Sequence, residues 1–293
     1  MNEVKKLPHY RMALDDFVSK AQHLVPAPHV LPQLLSLLNR PDINTNKIVE
    51  LISYDPALTA NVMRICNSAY YNRGTPIDSL QHAVMHLGLN EIYRIVVAIT
   101  GSFLLRQSKG NRVDAESDRL WHHSVISALA AQIVAKDAGE DEDVVFTAAL
   151  LHDIGKLVFA AEVQDLYEFR VSSYDRSSRS LVEIEKELFG HDHAELGGRL
   201  MEAWRFPAHL VAVVRFHHQI ADATTFVRLT ACVSLGDYLA YVFGHGYGRN
   251  DPPVDDRDRA VQILNIPPEH LSKYEGEIRP RLQALKDIYQ LKF

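Results

Sequence analysis

Cysteine is nearly absent. The 293 residues contain Cys66 and Cys232 only, far apart and without a CxxC pair. That excludes a disulfide scaffold and any thiolate-rich metal site, and it suits a reducing compartment, so a cytoplasmic setting is expected. Long apolar runs are absent too. The longest apolar-looking stretch, residues 95–105 between Arg94 and Arg106, is too short to span a bilayer. Met1 to Asp16 mixes Lys, His, Arg and Asp without an apolar core, so no signal peptide is read there. An excess of positive charge is missing as well. The net charge of −6 argues against nonspecific binding to nucleic acid or to an anionic membrane. No window alternates apolar and polar residues long enough to demand a strand, and no internal repeat or low-complexity segment occurs.

What is present is helical punctuation. An entry of prolines, Val25 to Pro32, precedes leucines spaced on one face from Gln33 to Leu38. Asn44 or Thr45 is placed to cap a helix from Asn46 to Tyr54, and Asp55-Pro56 has the N-cap and first-turn residues of the next. Asn67-Ser68-Ala69-Tyr70 reads as turn chemistry and packing. Asp78 or Ser79 caps Leu80 to Leu87, and a helix from Asn90 is expected to reach Leu105. The polar stretch Gln107 to Asp118 reads as a linker between two helical subdomains. After it, small residues at Ser124, Ser127, Ala128, Ala131 and Ala135 allow close contact with another helix. A central helix is expected from Asp143 to Lys156, followed by Glu162 to Arg170, Leu181 to Phe189, Ala194 to Trp204, Ala208 to His218 and Phe226 to Phe243. Gly244 to Asp258 reads as a loop, and two polar helices finish the chain. The expected fold is all-α: an N-terminal helical subdomain (1–106), a linker (107–118), a second helical subdomain (119–243) and a C-terminal loop with helices (244–293).

Histidine is the unusual abundance, at 15. His152-Asp153 stands between two apolar runs and is followed by Gly155-Lys156. Asp and Lys are rarely buried without a partner or a metal. Four further places set a potential ligand beside apolar helix: His123, His193, the pair His217-His218, and Asp237. Each has a plainer reading. His123 can be a surface histidine beside Trp121, His193 a helix-start residue, and His217-His218 a C-terminal pair facing the helix dipole. Asp237 resists such a reading, because it lies inside Leu235-Gly236-Asp237-Tyr238-Leu239. Together they suit a metal site in a bundle core. Their number exceeds the three protein ligands usual for one catalytic zinc and suits two ions sharing Asp153 as a bridge. Without thiolates, Fe, Mn or Zn is favoured over copper(I).

These residues resemble a known family. Trp121-x-His123-Ser124, His152-Asp153-x-Gly155-Lys156, His193-Ala194-Glu195-x-Gly197, Trp204-x-x-Pro207 and His217-His218 are similar to the HD superfamily of metal-dependent phosphohydrolases. Pro26-Ala27-Pro28-x-x-Leu31-Pro32, Ile52 to Thr59, Asn67 to Tyr71 and Ile77 to Leu89 resemble the HDOD domain, the HD-related output domain of bacterial signalling. The resemblance covers roughly residues 18 to 243. It implies an all-helical regulatory output module, and many such domains have lost HD ligands. In this chain the implied set is whole: His123, His152, Asp153, His193, His217 or His218 or both, and Asp237. The resemblance implies two divalent ions, with Fe or Mn favoured over Zn. It also assigns Lys156, with Asp153, to the catalytic group, Lys156 neutralising charge on a reacting phosphate. Gln219-Ile220-Ala221-Asp222 replaces the Glu and Gly-Tyr-Pro element of the related HD-GYP phosphodiesterases, so cyclic di-GMP hydrolysis is not expected. Arg119 stands where some HD-GYP sites place a third-metal Glu. The expected function is a signalling output with an intact dinuclear site, the alternative a metal-dependent phosphohydrolase. The expected partners are a phosphorylated small molecule or nucleotide and a signalling protein, with neither membrane nor nucleic acid.

Overall fold

The structure is a computed structural model that describes residues 12–21, 37, 45–72, 74, 76–96, 99, 115–160, 180–246, 254–267 and 269–289. The proline entry Val25 to Pro32, most of the Gln33 to Leu38 helix, residues 107–114 of the linker, and residues 161–179 lie outside the described residues. Among those described there is no strand, and no helix is long and apolar enough to cross a membrane.

The N-terminal subdomain holds helices α1 (Leu14–Lys20), α2 (Thr45–Ser53), α3 (Pro56–Cys66), α4 (Leu80–Leu87) and α5 (89–96). Its punctuation is local. The Asp55 carboxylate accepts from Leu58 N at 2.7 Å with Pro56 opening the helix, and Ser79 Oγ accepts from His82 N at 3.0 Å. Asn67 answers the whole backbone of Ile77: its Nδ2 donates to Ile77 O and its Oδ1 accepts from Ile77 N, both at 2.8 Å. The Asn67 motif is therefore a turn brace, as its residue types predict. The helix expected from Asn90 to Leu105 is described as continuous only to residue 96.

The second subdomain holds α6 (Ala115–Ala138), α7 (Glu142–Leu151), α8 (154–160), α9 (Leu181–Phe189), α10 (His193–Ala203), α11 (Ala208–Phe216) and α12 (Val227–Ala240). A π-turn, Tyr241–His245, ends α12, and α13 (Val254–Leu264) and α14 (His270–Tyr289) complete the chain. Three boundaries differ from expectation. The central helix is broken at His152-Asp153, where two turn residues separate α7 from α8. Of the stretch read as a linker to Asp118, the residues from Ala115 on belong to α6. The stretch read as a loop to Asp258 contains the start of α13 at Val254.

One core runs through both subdomains. Phe17 of α1 meets Phe159 of α8 edge-on at 5.3 Å, Tyr54 meets Phe146 at 5.9 Å, and the Arg64 guanidinium lies 5.1 Å from the Trp204 ring. Aromatic pairs of this kind contribute roughly 0.5–1.5 kcal/mol each beyond their buried area. The N-terminal bundle is thus packed on the second subdomain through apolar contact.

Close helix crossings place the polar residues. A Cβ added at Gly236 would lie 2.6 Å from Ala131 Cβ and 2.7 Å from Ser127 O. The small-residue face of α6 and Gly236 of α12 therefore interlock, which brings Asp237 beside His123. A Cβ at Gly155 would lie 2.0 Å from the carbonyl oxygen of His193. Only glycine lets α8 run this close to the start of α10.

Candidate metal centre

Six chain segments deliver eight residues to one buried place. His123 comes from the middle of α6, and His152-Asp153 from the break after α7. Lys156 lies in α8, His193 is the first residue of α10, His217-His218 follow α11, and Asp237 lies in α12. Asp192 caps α10 with a reciprocal Glu195 bond, which fixes the direction of His193. His123, His152, Asp153, Lys156, His193, His217 and Asp237 are all buried, and His218 is partly buried.

Asp153 is the centre. Its Oδ2 has His152 Nε2 at 3.3 Å and His123 Nε2 at 3.4 Å, and His123 Nε2 is also 3.0 Å from Asp237 Oδ1. Its Oδ1 has His193 Nε2 at 3.2 Å and His217 Nε2 at 3.7 Å, while His218 Nε2 lies 3.0 Å from His193 Nε2. Two donor groups emerge, one of His123, His152 and Asp237, the other of His193, His217 and His218 with Asp153. They flank opposite oxygens of the same carboxylate.

The far nitrogens explain the convergence. His152 Nδ1 donates to Ala149 O at 2.6 Å, His217 Nδ1 to Val214 O at 2.8 Å, and His123 Nδ1 to His245 O at 3.0 Å. His193 Nδ1 donates to Glu185 Oε2 at 2.6 Å, and the same oxygen accepts from His193 N at 2.8 Å. A carbonyl or carboxylate on Nδ1 requires the proton there, so the Nε2 lone pair points inward. Four Nε2 atoms then face a carboxylate. His152 Nε2, His217 Nε2 and Asp153 Oδ1 are buried without a hydrogen bond. Orphaned acceptors of this kind are costly unless a cation sits among them. The residues present fit a metal site.

Without metal the charges are balanced by protons and by Lys156. Burial opposes a charge on His123, yet Asp153 and Asp237 raise its pKa to about 9. Burial likewise opposes charge on His193, and Glu185 and Asp153 bring it to about 9. Burial and the adjacent His218 and His152 hold His217 well below the ordinary imidazole value. Burial and His193 take His218 down to about 3. Burial pushes Asp153 upward, but His152 and Lys156 more than reverse it, leaving the carboxyl well below its usual range. Asp237 is depressed by His123 in the same way. Lys156 Nζ donates to Asp153 Oδ2 at 2.7 Å. Lys156 thus lies in the core beside the Asp153 carboxylate.

Two members of the centre were not foreseen. Glu185 carried a signal: it is an acid on the apolar side of an amphipathic helix, with Leu181, Ile184 and Leu188 buried around it. The carbonyl of His245 carried none, because a backbone acceptor supplied by a π-turn leaves no mark on residue type.

Comparison with known proteins bears on the family and the fold. The family described as HDOD domain matches residues 24–220. A protein of Treponema pallidum (strain Nichols) is 25% identical over 209 residues, covering 67% of this chain and 38% of that protein. Ribonuclease Y of Campylobacter jejuni is 26% identical over 196 residues, covering 64% of this chain and 30% of the relative. The chain therefore spans well under half the length of these relatives. Among solved structures, the MmoQ response regulator of Methylococcus capsulatus superposes with a TM-score of 0.65 at 22% identity, covering 87% of this chain and 98% of that one. That likeness is one of fold.

Proposed function

The chain belongs to the HDOD family, and we propose that it is a bacterial signalling output module built around a two-metal HD centre. The observation that carries this reading is the convergence on Asp153. Inward lone pairs from His123 and His152, with Asp237, meet Oδ2, and those from His193 and His217, with His218 beside them, meet Oδ1. His123, His152, Asp237 and Asp153 would hold one ion; His193, His217, His218 and Asp153 would hold the other. Nitrogen and oxygen donors without thiolate suit Fe or Mn. Residues 119–243 serve as the metal-binding subdomain and residues 1–106 as the helical subdomain that couples it to a signalling protein in the cytoplasm. The ligand of the centre is a phosphorylated small molecule or nucleotide.

The intact donor set favours a second reading, a metal-dependent phosphohydrolase. A bound ion pair supplies Lewis acidity toward a phosphoryl oxygen. The protein's own part is to exclude water, hold Asp153 between the two donor groups and present the Lys156 ammonium next to it. The Lys156 ammonium, next to Asp153 Oδ2, would neutralise charge on a phosphate held there. The relative named Ribonuclease Y supports a hydrolase ancestry of the centre. The element that selects cyclic di-GMP in HD-GYP enzymes is replaced by Gln219 to Asp222, so that substrate is not expected.

A panel of phosphate mono- and diesters decides between the readings, run with Fe or Mn on the unmodified chain, Lys156→Ala and His152→Ala/Asp153→Ala. Ligand binding without turnover supports the output module. Turnover that falls with Lys156→Ala and vanishes in the double variant supports the enzyme. Rapid cyclic di-GMP hydrolysis, or turnover indifferent to the double variant, defeats the assignment of the centre.

A further inference from the structure

The four inward imidazoles are not held alike. His123, His152 and His217 rest their Nδ1 atoms on backbone carbonyls, of His245, Ala149 and Val214. His193 alone among them rests on a carboxylate, Glu185, in the shortest of the two side-chain contacts that flank its ring: 2.6 Å at Nδ1 against 3.2 Å from Nε2 to Asp153. Glu185 is itself buried, at 1% exposure, and its Oε2 also accepts the His193 backbone N–H at 2.8 Å. One oxygen therefore fixes both the ring and the first turn of α10. The two metal positions differ in the same direction. The position at Oδ2 has a carboxylate of its own, Asp237, as well as its share of Asp153. The position at Oδ1 has three imidazoles and only its share of Asp153, so its charge has to come from behind the ligands.

We propose that Glu185 is a positioning residue that supplies this charge, making the His193–His217–His218 position a metal site comparable to the one at Asp237. The proposal rests on the two-metal reading of the centre. A carboxylate on the far nitrogen of a ligand histidine fixes its tautomer and raises its basicity, and removing such a partner weakens metal affinity by roughly 10–100-fold. A backbone carbonyl fixes the tautomer with far less charge. Glu185 thus acts on one ion and not on the other. It touches neither metal nor substrate.

The test is Mn(II) titration of the metal-free full chain by calorimetry, paired with anomalous difference maps from crystals soaked at rising Mn(II). The unmodified chain is expected to bind two ions. Glu185→Gln keeps an acceptor of the same shape and loses the charge. Its expected behaviour is one binding step unchanged and the other weakened about 10–100-fold, with a single anomalous peak, on the Asp237 side of Asp153, at intermediate concentration. Glu185→Asp keeps the charge at shorter reach and should weaken the same step by less; it also serves as the probe if the Gln variant does not fold. Two unchanged steps in Glu185→Gln, an equal loss in both, or a first peak on the His217 side would overturn the proposal. An unmodified chain that binds no Mn(II) would instead defeat the two-metal reading on which it stands.

Discussion

Both subdomains bury polar side chains, and they use them in opposite ways. In the N-terminal bundle five such groups close on backbone. Asp55 caps α3, Ser79 caps α4, Thr59 Oγ1 donates to Ile52 O at 2.8 Å, Asn61 donates to Ala57 O at 2.8 Å, and Asn67 braces Ile77. These bonds close within the bundle. In the second subdomain the outer nitrogens of the histidines close on backbone or Glu185, and the inner ones are left aimed at Asp153. Burial is equal; destination differs. Polar groups that close locally build a fold, whereas polar groups that converge without closing build a binding centre.

The largest break in that contrast comes from Asp153→Ala. It removes the shared oxygen from both donor groups and leaves the Lys156 ammonium buried without its carboxylate. Metal content should fall from two ions to none by elemental analysis. The metal-free variant should lose roughly 3–5 kcal/mol in denaturant unfolding, as expected when one partner of a buried pair is removed. Asp153→Ala/Lys156→Met should recover most of that stability and none of the metal. Full metal loading in Asp153→Ala would end the contrast.

Proton competition sharpens it. With His123 and His193 raised to about 9 in the metal-free protein, both imidazoles carry protons at neutral pH. An ion must displace them. Affinity should therefore rise with pH and level off above about 9, by about tenfold per pH unit for each ion, since His123 and His193 belong to different positions and one unit is worth about 1.36 kcal/mol per displaced proton. Calorimetry in buffers of different ionisation enthalpy counts the released protons. A pH-independent affinity between neutrality and that value would contradict the charge assignment.

Gly236→Ala is a smaller and more local perturbation. The added methyl must push α12 away from Ser127 and Ala131, at a cost of about 1–3 kcal/mol for overpacking. It also shifts Asp237 from His123, so the metal position on that side should weaken. Smallest is Asp55→Ala in the other subdomain. Loss of the cap costs about 1 kcal/mol, visible as a lower Tm, with metal affinity untouched. A cap variant that also emptied the centre would show that the two subdomains do not divide the work as described.

Much of this was legible in residue types. Caps at Asp55 and Ser79 are written in side chains that have few other uses before a helix. Asp237 inside an apolar run announced itself by cost. The helix break at His152-Asp153 was not legible, because an apolar helical period continues on both sides of it. The His245 carbonyl was not legible because it is backbone. Glu185 was half legible: its place on an apolar face is visible, but the partner that justifies it lies eight residues on, beyond a turn, and only the fold brings them together.

The central claim is that Asp153 lies between two cations. Crystals of the unmodified chain soaked in Mn(II) and measured for anomalous scattering test it directly. Two peaks are expected, one among His123, His152 and Asp237, the other among His193, His217 and His218, with one Asp153 oxygen turned to each. A metal-loaded protein with no peak at Asp153, or with ions bound elsewhere, would contradict it.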